Sequence, residues 1–245
     1  MRQRLAQAQL ALVLLTRVPC GSLRSPVPTL ASAAWAFPLA GFLVGLIAAG
    51  VMGAALALGL SPPVAAGLGL GAQVMATGAL HEDGLADICD GFWGGAAPER
   101  RLQIMRDSRI GSYGTVGLIL TLGLRWLGLE ALAEMQAVVA VIAVAMASRV
   151  APVALMGWLP AARADGLGAQ GRTVGAGSIL AAALLGGLPM LLAPQGWVAL
   201  GAASLAVAVL ARIARAKIGG QTGDVLGAGQ QVAECALLLT LGAGR

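Results

Sequence analysis

The chain has 245 residues, 58% of them hydrophobic and only 11% charged, with a formal net charge of +5. A soluble domain is about 25% charged, so this composition excludes a water-soluble globule and requires surface that faces lipid. The positive excess is no nucleic-acid signal: there is no basic stripe with interleaved aromatics, and the orientation of membrane loops accounts for it.

Residues 1–20 open the chain. Arg2 and Arg4 precede a short apolar run, which ends in Thr16-Arg17-Val18-Pro19 without a small-residue cleavage site. The run is too short for a crossing and reads as an amphipathic or interfacial helix rather than a signal peptide. Apolar runs bounded by charges or by Pro and Gly then place membrane spans near 30–59, 62–80, 113–129, 136–158, 176–193, 196–211 and 228–243. The last is short against the roughly 20 residues a crossing needs. Gly41 with Gly45, and Gly67 with Gly71, have the small-xxx-small spacing that lets membrane helices approach closely. No alternating pattern supports a β-barrel. The expected fold is all-α, a polytopic helix bundle of about seven transmembrane helices forming one catalytic domain over 1–245.

Orientation follows from the basic residues. With the N-terminus in the cytoplasm, thirteen of the 16 Lys and Arg fall on one side, in the segments before the first span and after the second, fourth and sixth. That count includes Arg163 and Arg172. On the far side only Arg245 remains, while Arg125 and Arg149 lie within spans. The three cysteines, Cys20, Cys89 and Cys235, are far apart and form no metal or disulfide pattern.

After the second span comes HEDGLADICDG, residues 81–91. It holds the single histidine, His81, and four of the eleven acids: Glu82, Asp83, Asp87 and Asp90. Asp83, Asp87 and Asp90 are spaced i, i+4, i+7, which puts them on one face of a helix. Three carboxylates in a narrow arc repel one another. A hard divalent cation relieves this, and oxygen ligands without Cys suit Mg²⁺, Mn²⁺ or Ca²⁺. Mg²⁺ commonly shares its site with substrate phosphates, so phosphate or diphosphate chemistry at the membrane face is expected. Glu82, about 100° around the helix from Asp83, is an additional or alternative ligand.

The sign then changes. Residues 98–114 carry Arg100, Arg101, Arg106 and Arg109 around Asp107. Guanidinium groups bind phosphate in bidentate fashion, and Arg106 and Arg109 are the candidate substrate contacts. Arg149, inside a span, is expected to face an anionic substrate or an inward-facing acid. The last polar island, residues 217–228, reads as a flexible glycine loop whose amides cradle phosphate, with Gly220 and Thr222 as substrate contacts and Asp224 one of only two acids after residue 170.

These residues resemble a known family. His81-Glu82-Asp83-Gly84-Leu85-Ala86-Asp87 with Asp90-Gly91, then Ile104-Met105-Arg106-Asp107-Ser108-Arg109-Ile110-Gly111, then Gly219-Gly220-Gln221-Thr222-Gly223-Asp224 are similar to the cobalamin synthase family, the adenosylcobinamide-GDP ribazoletransferases. Leu15-Thr16-Arg17-Val18-Pro19 also looks like that family's N-terminal start. Where Glu82 stands many members carry Leu. The resemblance implies a multi-pass enzyme of the bacterial inner membrane that needs Mg²⁺. It joins adenosylcobinamide-GDP to α-ribazole or its 5′-phosphate and releases GMP, late in vitamin B12 assembly. It implies Mg²⁺ on Asp83, Asp87 and Asp90, with Arg106 or Arg109 on phosphate oxygens. His81 or Asp224 would then be the base for the ribazole hydroxyl. A homo-oligomer, or association with other enzymes of corrinoid assembly, is compatible with this. The alternatives are another membrane phosphotransferase of the CDP-alcohol type, whose Asp-Gly-x-x-Ala-Arg continuation is not matched by the Phe-Trp-Gly-Gly after Asp90-Gly91, and a divalent-cation transporter.

Overall fold

The computed structural model describes residues 2–170 and 174–243. Arg172 and Arg245 of the charge count lie outside the described residues. The helices run α1 (Arg2–Leu15), α2 (Leu30–Ala33), α3 (Phe37–Ala57), α4 (Pro62–Thr77), α5 (Leu80–Gly94), α6 (Pro98–Ile104) and α7 (Ser112–Glu134). They continue with α8 (Ala140–Ser148), α9 (Val150–Trp158), α10 (Gly166–Gln170), α11 (Ala176–Gly187), α12 (Gly196–Ile218) and α13 (Gly223–Gly242). A 3-10 turn at Ala34–Ala36 joins α2 to α3, and another at Leu188–Leu192 extends α11. Among the described residues there is no strand, only an isolated bridge between Ala161 and Gln221.

Five stretches are long and apolar enough to cross a membrane: Leu30–Ala57, Ser112–Glu134, Ala140–Trp158, Gly196–Ile218 and Gly223–Gly242. The pair α4 and α5 makes a sixth if a bent pair counts as one span. The protein is therefore an all-α, multi-pass membrane bundle, but seven crossings are not reached. The helix at Ala176–Leu192 is shorter than a crossing. The run expected at 62–80 breaks instead at Gly78-Ala79 and continues as α5, bent by 88°. The last helix starts at Gly223, so it has the 20 residues that a crossing needs.

The break at Gly78-Ala79 is built locally. Both residues are left-handed, with φ of 65° and 58°. The N–H groups of Gly78 and Ala79 bond back to Met75 and Val74 carbonyls, closing the end of α4. The Ala79 carbonyl then accepts from Asp83 N at 2.9 Å, which starts α5. Arg17 crosses the same point, its N–H on Ala76 O at 2.7 Å.

Close helix packing uses the glycines unevenly. A Cβ on Gly41 would run into the Ala145 backbone, and one on Gly45 would lie 2.7 Å from Ile142 Cα, so α3 and α8 meet backbone to backbone. Gly67 faces the Trp126 ring, but nothing lies within 4 Å of Gly71. Large apolar side chains such as Ile119, Leu120, Leu127 and Leu205 are exposed, as a lipid-facing surface requires. Trp93 and Trp158 are exposed near the ends of α5 and α9, and Trp197 near the opposite end of α12, the placement of interfacial aromatics.

Candidate active site

The α5 helix carries the acidic residues. Its apolar side chains Leu85, Ile88 and Phe92 are buried. Glu82 and Asp83 stand in its first turn, where acids favour the helix dipole. Asp83 is exposed, and Asp87 and Asp90 are half-buried. Asp83, Asp90 and Asp224 all lie within electrostatic reach of Asp87. The expected one-faced carboxylate row therefore exists, and it gains a fourth member from α13.

Asp224 reaches the row because α5 and α13 nearly touch. A Cβ on Gly84 would lie 2.8 Å from Asp224 O and 3.0 Å from Asp224 Cα. Any larger residue at position 84 would push the last helix away. Only residues 219–222 form the turn between α12 and α13, and Asp224 sits in the first turn of α13. The long glycine loop expected over 217–228 is corrected accordingly. Thr222 is the N-cap of α13, accepting from Val225 N, and its hydroxyl donates to Asp224 Oδ2 at 3.1 Å. Thr222 is largely buried, and its hydroxyl orients Asp224. Gly220 lets the turn press against the Pro160 carbonyl. Gln221 N donates to Pro160 O, and Ala162 N to Gln221 O, both at 2.8 Å.

That pairing brings a segment that sequence reasoning missed. Arg163 lies 3.7 Å from Asp224 Oδ2 and donates to Leu102 O at 2.8 Å. Arg106 makes a bidentate contact with Asp165, both distances 2.8 Å. Arg106, Arg163, Asp165, Thr222 and Asp224 line a cleft of about 250 Å³. In the sequence Arg163 counts only toward the orientation of the loops, and no motif includes Asp165. Asp165, an isolated acid beside Arg163, was the available signal.

Several expected roles are corrected by the partners these side chains have. Both Asp90 oxygens accept backbone N–H groups, Gly111 N at 2.7 Å and Gly114 N at 2.9 Å. Asp90 therefore caps the start of α7, with one lone pair of each oxygen engaged there. Glu82 points into the bundle and binds Arg125 at 2.6 Å, away from the other carboxylates. Of the two partners expected for Arg149 it has the inward-facing acid: its guanidinium lies 3.2 Å from Glu234 Oε2. Arg109 is exposed and pairs with Asp107 at 2.8 Å. The Arg109 hydrogen bonds hold the Asp107 carboxyl well below the usual carboxylate range, down to about 2. Arg101 ties the loop together through Gly95 O, Ala96 O and Lys217 O.

Beneath the acidic row lies a buried polar network. Arg125 donates to Glu82, Gln231, Gln73 and Glu234 at 2.6–3.0 Å. Glu234 also takes Arg149, Ser148 and Gln230. Two arginines balance two glutamates, so no net charge is buried. Glu234 is an acid inside an apolar span, a signal present in the sequence.

Among the described residues, no three His, Cys, Asp or Glu side chains form a ready-made metal cage. Asp83, Asp87 and Asp224 offer only hard carboxylate oxygens. That set fits Mg²⁺, which is commonly held by one or two carboxylates together with waters and substrate phosphates.

The profile of the family described as cobalamin-5-phosphate synthase matches residues 7–242. An adenosylcobinamide-GDP ribazoletransferase of Mesorhizobium japonicum is 47% identical over 241 residues, covering 97% of this chain and 93% of the relative. One of Bradyrhizobium diazoefficiens is 44% identical, covering 99% of this chain and 95% of the relative. One of Rhizobium meliloti is 44% identical over 83% of this chain and 82% of its own length. No solved structure matches the chain.

Proposed function

Since the chain belongs to the cobalamin-5-phosphate synthase family, we propose that it transfers adenosylcobinamide phosphate from adenosylcobinamide-GDP to α-ribazole or its 5′-phosphate, releasing GMP. The observation that carries the chemistry is the meeting of Asp83, Asp87 and Asp224 with Arg163 and Arg106 at the α5–α13 junction. Acids and guanidinium groups in one cleft suit a diphosphate that must be bound and cleaved.

In the reaction, the ribazole hydroxyl oxygen forms a bond to the cobinamide-side phosphorus. The bond from that phosphorus to the bridging oxygen breaks, and its electron pair leaves with GMP. Asp224 accepts the hydroxyl proton, held in place by the Thr222 hydroxyl. Arg163, and Arg106 once it exchanges Asp165 for substrate, hold non-bridging oxygens. Asp83 and Asp87 would hold Mg²⁺, which supplies charge neutralisation on the diphosphate.

The protein sits in the bacterial inner membrane with this junction facing the cytoplasm. The loop asymmetry of Lys and Arg supports that orientation, and Arg101, Arg106, Arg163 and Lys217 gather at one end of the bundle. The test of the activity uses purified full-length protein in lipid nanodiscs, with adenosylcobinamide-GDP, α-ribazole and Mg²⁺. Stoichiometric GMP and adenosylcobalamin are expected. Consumption of neither substrate would refute the assignment.

A further inference from the structure

A second cavity adjoins the acidic row, and the phosphate chemistry leaves it unused. Its volume is about 110 Å³, and its walls include Leu14 and Leu15 of α1 with Phe37, Leu80, Pro152 and Leu226. Its polar border consists of His81, Asp83 and Asp224. Asp224 and Gly223 line both this cavity and the basic cleft that holds Arg106 and Arg163. An apolar compartment and a charged one therefore meet at one carboxylate.

His81 is the unexplained group. It is 3% exposed, and its Nε2 has no hydrogen-bond partner. A buried polar atom without a partner is costly and calls for an explanation. A ligand in the cavity supplies one if it carries a polar ring atom.

We propose that this cavity seats the aromatic base of the ribazole acceptor, with His81 Nε2–H donating to the base's free ring nitrogen. This rests on the transferase activity proposed above. An aromatic nucleoside has the two characters the site has. Its base is planar and apolar with one buried acceptor, and its sugar bears the hydroxyl that must reach Asp224. The donor's diphosphate then approaches from the opposite compartment, so the two reacting groups meet at the shared wall. The enclosed space is somewhat below the roughly 150 Å³ of an apolar cavity that takes up benzene, so one ring of the base enters it and the rest lies in its mouth beside Asp224. It is far too small for a corrin ring or a whole acyl chain. An acyl chain would also leave Nε2 unpaired. His81 is thereby a residue that binds and positions the acceptor, while proton transfer rests with Asp224.

The test uses full-length protein in nanodiscs, with acceptor and donor varied separately and free benzimidazole as the probe. Benzimidazole should compete with α-ribazole and not with adenosylcobinamide-GDP. His81→Phe keeps the ring volume and removes the donor. It should raise the acceptor KM roughly tenfold, the effect of one lost buried hydrogen bond, while the donor KM stays within about twofold. Leu226→Trp, which fills the cavity, should abolish inhibition by benzimidazole. Transfer with no benzimidazole inhibition, competition against the donor, or competition by oleate in its place would overturn the proposal. So would an unchanged acceptor KM in both variants. If no transfer occurs at all, the activity assignment fails. Equilibrium dialysis of benzimidazole against parent and His81→Phe protein then decides the cavity by itself: binding lost in the variant supports it, and equal or absent binding refutes it.

Discussion

Substituting Gly84 by alanine tests whether the α5–α13 contact sets the position of Asp224. The added methyl carbon would sit 2.8 Å from Asp224 O and 3.0 Å from Asp224 Cα. Comfortable contact begins at about 3.5 Å, so the helices must part by roughly 0.5–0.7 Å. Overpacking of this kind costs about 1–3 kcal/mol. Alanine in a helix returns up to about 1 kcal/mol relative to glycine. The net loss of stability is therefore modest, about 0–2 kcal/mol. Catalysis should suffer more, because a misplacement of about 1 Å can cost a factor of about 10². The expected result is a melting temperature within a few degrees of the parent and turnover reduced by about tenfold or more. Gly71→Ala is the control, since nothing lies within 4 Å of that glycine, and it should leave turnover unchanged. Parent-like turnover in Gly84→Ala would refute the idea that this close approach holds the acids in register.

The remaining predictions concern the acids and the orientation. Asp83→Asn should reduce turnover and raise the Mg²⁺ concentration needed for half-maximal rate. Asp90→Ala should instead lower stability by about 1–2 kcal/mol through loss of the α7 cap, with Mg²⁺ dependence as in the parent. If the two variants show the same Mg²⁺ titration, the separation of their roles is wrong. Glu234→Gln leaves two buried arginines against one glutamate, and breaking such a pair costs about 3–5 kcal/mol. Thermal unfolding in detergent reads this directly, and an unchanged melting temperature would show the network to be energetically idle. A cysteine placed at Ala96 should react in intact cells only with a membrane-permeant thiol reagent. Ready labelling by an impermeant one would invert the orientation.

The parts legible in the sequence were those governed by short-range periodicity. The spacing of Asp83, Asp87 and Asp90 fixed a shared helix face, and α5 has it. Long apolar runs located the membrane helices, because lipid demands them. What escaped depends on residues distant in sequence. The Arg149–Glu234 pair spans 85 positions and the Arg125–Glu82 pair 43, and no local pattern names such partners. Nothing local to Asp90 names its two donors, Gly111 N and Gly114 N, because they lie at the start of α7, beyond α6. The 88° break at Gly78-Ala79 needs an alanine in the left-handed region, which alanine rarely adopts. Glycines at 219, 220 and 223 suggested a long loop, but glycine is also a helix-packing residue in membranes, and α13 begins among them.

The buried charge network also has a consequence for the order in which the protein is made. Glu82 and both arginines precede the last helix in the chain, and Glu234 comes within its final segment. A nascent chain halted before α13 holds two guanidinium groups in the membrane against a single carboxylate. Neutrality is reached only when the last helix inserts. The α13 helix thereby supplies the carboxylate that balances a second guanidinium already held among α7, α8 and α9.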